Sequence, residues 1–290
     1  MNPRIVVLGS TGFVGSMLLE RLRNYEGLQW SGFSSSELNL ASPCASDQLT
    51  KQIDRDTVLI SCVRSRPQYD LLDTFSEENL ININLAKSLS QQRIRKCIYF
   101  STLSVYGDSE TDLCISENTV PRQTSLYGIS KFSGEYLLQE ASQKAGTPLI
   151  ILRPCKIYGP GDKSNAYGPA RFIKSIILDN QVSLFGPGKE LRDHLFINDL
   201  IDIVLRLALG KQTGIYNVAS GSSQSFLEMI AILKEIASSS FGVCHVERDK
   251  PPIDQRIDIS KLLDSLPGVT FTELKSGLYQ TYQYILKQPG

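Results

Sequence analysis

A tyrosine and a lysine four residues apart, Tyr127 and Lys131, are the residues of this chain best suited to acid–base chemistry. In a helix, positions i and i+4 lie on one face, so both side chains reach the same site. A free phenol has a pKa of about 10 and is a poor acid near neutral pH. A neighbouring ammonium lowers that value, so the tyrosine can exchange a proton with a substrate oxygen. Thr102, at the end of a predicted strand, is placed to hydrogen-bond the same oxygen.

A glycine-rich segment near the start of the chain has the pattern of a phosphate-binding loop. Three glycines separate an apolar run of strand type from an apolar-periodic segment of helix type. Glycine permits a tight turn and a close approach to a pyrophosphate, and the free N–H groups of the helix start then face that anion. The segment therefore predicts dinucleotide binding. The expected contacts are Gly9, Thr11, Gly12, Phe13, Val14 and Gly15.

The end of the second predicted strand bears on the choice between NAD and NADP. An acidic residue at that point would accept hydrogen bonds from the ribose 2′-hydroxyl of NAD. Serines, among them Ser34 and Ser35, occupy the position here, and the first carboxylate, Glu37, follows them. Serine hydroxyls can donate to a 2′-phosphate, which favours NADP. No arginine stands beside the serines, so NAD stays open.

Strands alternate with helices through the first half of the chain, which predicts a parallel sheet with helices on both faces. The fold class is therefore α/β, a Rossmann-type doubly wound parallel sheet with a smaller C-terminal substrate domain. The Rossmann domain is expected at residues 1–158 plus about 192–220, and the substrate domain at about 159–191 and 221–290. The predicted strands are 5–8, 28–33, 57–63, 97–101, 149–152 and 215–218. The predicted helices are 13–22, 48–53, 79–89, 127–145, 199–209 and 225–238.

Composition argues against several classes of function. Lys plus Arg and Asp plus Glu balance at 30 each, which gives no electrostatic footprint for nucleic acid or an anionic membrane. No apolar run approaches the length of a membrane span, and the N-terminus does not have the pattern of a signal peptide. Six scattered cysteines and two histidines make a metal site or a Ser/His/Asp triad improbable. We expect a cytoplasmic protein with reduced cysteines.

Taken with these residues, further motifs make the chain resemble the extended short-chain dehydrogenase/reductase family, especially its nucleotide-sugar epimerases, dehydratases and reductases. The resemblance covers nearly the whole length. Its motifs are GSTGFVG at 9–15, STLSVYG at 101–107, YGISK at 127–131, LRPCKIYGPGD at 152–162, LRDHLFINDL at 191–200, YNVASG at 216–221 and RIDISK at 256–261.

The resemblance implies an NAD(P)-dependent enzyme acting on a nucleotide-sugar. Thr102, Tyr127 and Lys131 match the family's catalytic positions, and Tyr127 and Lys131 also contact the cofactor. Further cofactor contacts are implied at Cys62, Val63, Asn79 and Pro154. Substrate contacts are implied at Lys156, Arg192 and Arg256, the two arginines as a diphosphate clamp. Asn79 alternatively makes only a local hydrogen bond, each arginine an ion pair, and Lys156 a pair with a local acid. The resemblance also implies a homodimer.

Departures from the family's patterns narrow the reaction. Sugar dehydratases of the family carry Asp-Glu directly after the threonine, where this chain has Leu103 and Ser104, so water elimination is disfavoured. We expect 4-keto reduction of a nucleoside-diphosphate 6-deoxy-4-ketohexose. A C4 epimerase is the alternative with the same fold, and a non-catalytic dinucleotide-binding regulator is the alternative of another class. A ketone that is not a sugar also stays open.

Overall fold

The computed structural model describes residues 3–65, 70–108, 114–164, 167–237, 240–247 and 253–288. The chain forms two compact units. Unit 1 comprises Met1–Asp108, Thr119–Pro154 and Ile201–Asn217. Unit 2 comprises Ser109–Asn118, Cys155–Leu200 and Val218–Gly290.

Unit 1 is built on a six-stranded sheet whose order along the sheet is β10-β6-β4-β3-β1-β2. The strands are β1 (Arg4–Leu8), β2 (Gln29–Phe33), β3 (Thr57–Ser61), β4 (Lys96–Phe100), β6 (Leu149–Pro154) and β10 (Gly214–Val218). β1 pairs in parallel with β2 on one side and with β3 on the other. The chain thus reverses its direction across the sheet between β1 and β3, and ligands of such sheets bind beyond the carboxyl ends of the strands at that point.

Helices connect the strands of unit 1. They are α1 (Phe13–Leu22), α2 (Ala45–Thr50), α3 (Leu71–Gln91) and α4 (Leu126–Ala145), with a 3₁₀ turn at Leu103–Tyr106. Unit 1 also contains α6 (Ile197–Leu209) from Ile201 onward. The parallel sheet and its helices confirm the predicted α/β Rossmann-type class. Its core contains buried aliphatic side chains from strands and helices, among them Val6, Leu59, Leu85, Leu138 and Ile151.

Helix α3 begins at Leu71, eight residues before the predicted 79–89, and its first two turns lack an apolar buried face. Leu71 and Leu72 are exposed there, and Glu78 is buried. Asn82 donates to the Ser130 carbonyl at 3.0 Å and accepts from the Tyr99 hydroxyl at 2.9 Å. Asn84 donates to the Leu40 and Ser42 carbonyls of a neighbouring loop. These amides, in the part of the helix that was predicted, take positions that an apolar repeat would fill and bind α4, β4 and the loop after β2.

Small residues in α4 allow close packing around its first turns. A Cβ on Gly128 would lie 2.6 Å from the Ser104 carbonyl oxygen. A Cβ on Gly134 would collide with the Tyr99 hydroxyl. Ser125 caps the helix by accepting from the Gly128 N–H at 3.1 Å. The start of α4 is therefore held against the segment that follows β4.

Unit 2 contains three small sheets and four helices within the described ranges. Its strands are β5 (Cys114–Ile115), β7 (Lys156–Tyr158), β8 (Gln181–Phe185), β9 (Leu191–Phe196), β11 (Ser223–Ser225), β12 (Gly242–Val246) and β13 (Arg256–Ile257). Its helices are α5 (Pro169–Asp179), α7 (Phe226–Ile236), α8 (Ser260–Ser265) and α9 (Leu274–Leu286). Helix α9 packs on α5, α7 and β9.

The division into units differs from the predicted one at its borders. Residues 192–200 were expected with the Rossmann domain, but they belong to unit 2. The reason is strand pairing, since β9 pairs with β7 and β11 and not with the large sheet. The segment 155–158 belongs to unit 2 for the same reason.

Candidate active site

The glycine loop between β1 and α1 has the geometry that a pyrophosphate needs. Gly9 has φ +80°, a conformation that favours glycine. A Cβ on Gly15 would collide with the Gly9 carbonyl oxygen, so this position also requires glycine. Gly12 is the N-cap of α1 and provides no side-chain hydrogen bond to the helix start. The N–H groups of the first turn can therefore receive an anion.

A cleft of about 740 Å³ opens at the point where the chain reverses across the sheet. It is bordered by the residues that follow β1, β2 and β3 and by two residues of α3. The lining residues are Gly9, Thr11, Gly12, Ser35, Ser36, Leu38, Asn39, Leu40, Cys62, Val63, Arg64, Ser65, Glu77 and Ile81. The cleft has the position and the size for a dinucleotide, and the glycine loop forms its floor.

The structure brings six of the predicted cofactor residues to this cleft, and they are Gly9, Thr11, Gly12, Ser35, Cys62 and Val63. The other predicted residues do not line it. Phe13, Val14 and Gly15 lie in the first turn of α1, and Pro154 ends β6. Asn79 donates to the Phe75 carbonyl at 2.8 Å and to the Ser130 hydroxyl at 3.4 Å. Its amide thus makes the local hydrogen bond that the sequence left as the alternative.

The sequence suggested that the serines after β2 face the cofactor, but not all of them line the cleft. Ser34 is buried, and its N–H and hydroxyl donate to the Glu37 carboxylate at 2.8 and 2.7 Å. These bonds lower the pKa of Glu37, the backbone bond contributing most. Ser34 is thereby occupied within its own turn, and it is not among the residues that line the cleft. Ser35 and Ser36 line the cleft instead.

Thr102 and Tyr127 lie on adjacent segments of unit 1. Thr102 caps the 3₁₀ turn after β4, where its hydroxyl accepts from the Ser104 N–H at 3.2 Å. Tyr127 stands in the first turn of α4 and is 40% exposed, so its phenol is open to a ligand. The next residue, Gly128, packs against the Ser104 carbonyl. The packing of this turn on α4 therefore brings the two hydroxyl-bearing segments together.

Lys131, one helical turn beyond Tyr127, is buried behind the wall of the cleft. Its ammonium lies 2.7 Å from a carboxylate oxygen of Glu78 and donates to the Val63 carbonyl at 3.1 Å. Both side chains of the ion pair are only 2% exposed. The ammonium also lies 5.2 Å from the centre of the Tyr99 ring. Because Val63 lines the cleft, Lys131 reaches the edge of the dinucleotide site.

The ion pair shifts both pKa values away from neutrality. Burial lowers the pKa of Lys131, but Tyr99, Glu78 and Tyr127 together raise it more, and the net shift is upward. Burial raises the pKa of Glu78, but Lys131 and Ser65 lower it more, and the net shift is downward. The Lys131 contribution to stability is lost as pH rises through its raised pKa, and that of Glu78 as pH falls through its lowered pKa. Both groups stay charged between about pH 5 and about pH 10.

A buried polar network beneath the active-site segments fixes Ser101, the residue before Thr102. The Ser101 hydroxyl donates to Glu135 at 2.5 Å. Arg153 donates to both carboxylate oxygens of Glu135, at 2.9 and 2.5 Å. Arg153 also donates to the Tyr106 hydroxyl at 2.8 Å. The network joins β6, α4 and the turn after β4, and thereby holds Thr102 in register with α4.

The three predicted substrate residues belong to unit 2. Lys156 donates to the Tyr167 carbonyl at 3.2 Å. Arg192 donates to the Leu191 and Ile253 carbonyls and lies 3.4 Å from Glu190. Arg256 is exposed in β13. Lys156 and Arg192 thus bind other protein groups in this conformation. The guanidinium of Arg192 would have to turn from Glu190 to bind a diphosphate.

Asp193 orders the chain between β9 and the loop before β11. It is buried and accepts from the N–H and hydroxyl of Ser220 at 2.9 and 2.8 Å. Burial raises its pKa most, and the Ser220 bonds oppose that shift. The carboxylate ties β9 to the loop before β11.

Two kinds of feature are absent from the part of the chain that the structure describes, namely a cluster of metal-ligating side chains and a membrane-spanning helix. No group of three or more His, Cys, Asp and Glu side chains there could hold a metal ion. The six cysteines are free. None of the helices described is both long enough and apolar enough to cross a membrane.

Three features of the site were not predicted from the sequence. Glu78 forms the buried ion pair with Lys131, Arg64 lines the cleft, and the Glu135–Arg153 pair supports Ser101. Glu78 directly precedes Asn79 in α3. This position is the only feature of the sequence that could have indicated a role for Glu78. Glu135 lies four residues after Lys131 on the same helix face, a spacing that could have drawn attention to it.

A parallel sheet with a glycine loop at its reversal point, and a Tyr/Lys pair beside the cleft, define the class as an NAD(P)-dependent Rossmann-type enzyme. The family model described as "NAD dependent epimerase/dehydratase family" matches residues 5–219. The chain therefore belongs to that family, within the extended short-chain dehydrogenase/reductase group.

Individual relatives agree with this assignment. The chain is 25% identical over 292 residues to GDP-6-deoxy-D-talose 4-dehydrogenase of Aggregatibacter actinomycetemcomitans, and the aligned region covers 97% of each of the two chains. UDP-glucuronic acid 4-epimerase from Bacillus cereus, solved with NAD, has a TM-score of 0.84 at 24% identity, covering 98% of this chain and 99% of that one. RMD from Pseudomonas aeruginosa, solved with NADPH, has a TM-score of 0.83 at 23% identity and covers 98% of both chains. The two structures share the fold.

Proposed function

We propose that this enzyme reduces the 4-keto group of a nucleoside-diphosphate 6-deoxy-4-ketohexose. The observation that carries the proposal is the buried Lys131 ammonium, held 3.1 Å from the Val63 carbonyl at the cleft wall, one turn from the exposed phenol of Tyr127. A proton donor thus stands beside a dinucleotide cleft, with a fixed positive charge behind it. This is the arrangement that carbonyl reduction requires.

The chain's own residues perform the proton transfer and the orientation of the substrate. When bound, a reduced nicotinamide supplies the hydride for the carbonyl carbon. Tyr127 donates its proton to the carbonyl oxygen as negative charge develops there. Thr102 turns its hydroxyl from Ser104 and donates to the same oxygen, which fixes the carbonyl in place. Lys131 keeps one N–H free of its two observed partners, and this N–H can hold a ribose hydroxyl.

The residues after Thr102 support reduction over dehydration. Elimination of water from a sugar requires carboxyl groups close to the reacting carbons. Leu103 is buried, and the Ser104 hydroxyl lies 3.2 Å from the Thr102 hydroxyl. Neither residue supplies a carboxyl group to a substrate, so hydride and proton transfer are the chemistry available.

The nucleotide-sugar itself is proposed from charge and from one relative. Arg192, Arg256 and Lys156 are the residues of unit 2 that we assign to the substrate diphosphate, because guanidinium groups bind phosphates in a bidentate manner. GDP-6-deoxy-D-talose 4-dehydrogenase, by its name, acts at the sugar carbon that we propose here. We also propose that the enzyme is a cytoplasmic homodimer that pairs through α3 and α4, where Leu80, Ile83 and Tyr136 are exposed.

NADPH is the cofactor that we propose, on the basis of the cleft's polar lining. Ser35 and Ser36 offer hydroxyl donors, and Arg64 offers a positive charge in the same cleft. All three can stabilise a 2′-phosphate. The Glu37 carboxylate opposes this preference, but Ser34 holds it in a turn, and Glu37 is absent from the cleft lining.

Replacing Ser35 by Asp is expected to weaken NADPH binding by about tenfold or more and to leave NADH binding little changed. The new carboxylate would repel the 2′-phosphate, which NADH lacks. Fluorescence titration with each reduced dinucleotide measures both dissociation constants. Ser35→Asn, which is neutral and similar in shape, is the control and is expected to keep the preference for NADPH. Equal losses for both cofactors would show that Ser35 does not lie near the 2′-phosphate.

A C4 epimerase is the second candidate, and the Glu37 carboxylate at the end of β2 favours it. A carboxylate in this region suits NAD, and an epimerase returns its NAD⁺ within each turnover. Such an enzyme would carry NAD⁺ through purification, and native mass spectrometry of the purified protein would detect it. A reductase is expected to lose its cofactor during purification and to take up NADPH when it is added.

The proposal is tested by following NADPH absorbance with a panel of 4-keto-6-deoxy nucleotide-sugars that differ in base and sugar. We expect NADPH oxidation with at least one member and none without a sugar. A protein that binds NADPH but oxidises it with no member would fit the non-catalytic regulator better. Oxidation with simple ketones in place of the sugars would point to a substrate that is not a nucleotide-sugar.

A further inference from the structure

Glu78 is a buried carboxylate whose two oxygens bind two different parts of unit 1. One oxygen lies 2.7 Å from the Lys131 ammonium, and the other accepts the Ser65 N–H at 2.5 Å. Glu78 itself belongs to α3, Lys131 to α4 and Ser65 to the loop after β3. A carboxylate in this position joins three elements that border the cofactor cleft.

The ammonium of Lys131 has three N–H donors, and its two observed partners orient it. They are Glu78, behind it in α3, and the Val63 carbonyl at the cleft wall. Because Val63 and Ser65 both line the cleft, Glu78 fixes the ammonium and the loop together. A lysine held in this way loses little side-chain freedom when a ligand binds.

We propose that Glu78 is a positioning residue that holds Lys131 at the cleft and compensates its charge, and so sets the pH above which Tyr127 no longer delivers its proton. The part of this inference that concerns catalysis rests on the proposed function. The effect on Tyr127 itself is a property of the protein without ligand, so it can be tested separately.

The charges around Lys131 determine the direction of the effect. The titratable groups that face it are Glu78 from α3, Tyr99 from β4, Tyr127 from α4 and Cys62 from the loop after β3. Without the Glu78 carboxylate, a buried ammonium would lack its counter-ion, which is costly. Burial raises the pKa of both Tyr99 and Cys62, so these groups resist ionisation. Tyr127, which also faces Lys131, is by contrast 40% exposed to solvent.

Replacing Glu78 by Gln is therefore expected to make Tyr127 lose its proton about one pH unit or more lower than in the wild type. The phenolate would take over the role of counter-ion to Lys131. Near-ultraviolet phenolate absorbance, titrated in each protein with its Tyr127→Phe version subtracted, reports this tyrosine alone. No cofactor or substrate is needed. An unchanged midpoint would overturn the proposal.

Two further variants make the titration specific. Glu140→Gln removes an exposed carboxylate from α4, and we expect the midpoint to stay at its wild-type value. Glu78→Met removes the charge without placing an amide in the buried site, and it serves if Glu78→Gln does not fold. The same downward shift is expected for Glu78→Met. A shift of equal size in Glu140→Gln would mean that overall charge, and not Glu78, sets the midpoint.

The pH profile of turnover tests the catalytic part of the inference. Reduction requires a protonated Tyr127, so the alkaline limb of kcat/KM is expected to move to lower pH in Glu78→Gln by the same amount as the absorbance midpoint. A purely structural role would lower activity at every pH and leave the limb in place. If no nucleotide-sugar is turned over, the proposed function fails, while the absorbance titration still decides the role of Glu78.

Discussion

Replacing Tyr127 by Phe is expected to lower kcat for 4-keto reduction by about 10²- to 10⁴-fold. The phenylalanine ring keeps the packing of the first turn of α4 but has no proton to give. Tyr127 is 40% exposed, and no hydrogen bond from its phenol contributes to the described fold, so stability should change little. The dissociation constant of NADPH should stay close to its wild-type value, because the glycine loop and Val63 are untouched. Steady-state kinetics and fluorescence titration measure the two quantities.

Tyr136→Phe provides the matched control, since Tyr136 is an exposed tyrosine on the same helix. It packs edge-on against Phe132, an interaction that the substitution preserves. We expect wild-type kcat from this variant. If Tyr127→Phe kept more than about a tenth of wild-type kcat, the proton would have to come from another group, and the assignment of Tyr127 as donor would be wrong.

Replacing Glu135 by Leu is expected to lower the free energy of unfolding by about 3–5 kcal/mol. Arg153 and Glu135 form a buried ion pair with two hydrogen bonds, and Ser101 adds a third. Leucine fills the space but leaves the guanidinium buried without an anion. Urea unfolding followed by circular dichroism measures the loss. Because Ser101 precedes Thr102, we also expect the remaining folded protein to have reduced kcat.

The double variant Glu135→Leu, Arg153→Met separates the pair from the packing around it. Removing both charges takes away the uncompensated guanidinium, so most of the lost stability should return. The Tyr106 hydroxyl would keep its 2.8 Å contact with the Asn217 side-chain oxygen. If the double variant were as unstable as the single one, the loss would come from disrupted packing and not from a buried charge.

The first half of the fold could be predicted from local sequence because each of its elements has a local cause. The apolar run of β1, the glycine turn and the apolar repeat of α1 occur in order, and the structure has them at Arg4–Leu8 and Phe13–Leu22. The predicted helix 48–53 is found three residues earlier, at Ala45–Thr50, since short helices have weak boundaries.

Elements of unit 2 were missed because their determinants are not local. Helix α5 follows a glycine- and proline-rich stretch that suggested a loop, yet Pro169 stands at its first turn, where proline is tolerated. Helix α9 has a glycine in its buried face, because Gly277 packs against the Tyr158 hydroxyl. Strands β5 and β13 are two residues each and pair only through a contact between distant parts of the chain. No periodicity could reveal them.

The candidate site was predictable to the extent that it follows from motifs. The spacing of Tyr127 and Lys131 indicated a shared helix face, and the structure has both on α4. Glu78 was not predictable, because a single glutamate in a polar helix gives no sign that it is buried. The turn at Ser34 was not predictable for a related reason, since the sequence does not show that Glu37 takes its hydrogen bonds.

The most direct test of the proposed 4-keto reduction uses NADPH that carries deuterium at the transferred position of the nicotinamide. The enzyme is incubated with this cofactor and a 4-keto-6-deoxy nucleotide-sugar that gives turnover in the panel, and the product is analysed by mass spectrometry and NMR. We expect deuterium at C4 of the sugar, and we expect one molecule of cofactor to be oxidised for each molecule of product formed. A product without deuterium at C4 would contradict the proposed reduction. Conversion of the matching C4 alcohol into its C4 epimer, without net oxidation or reduction of the cofactor, would establish an epimerase instead.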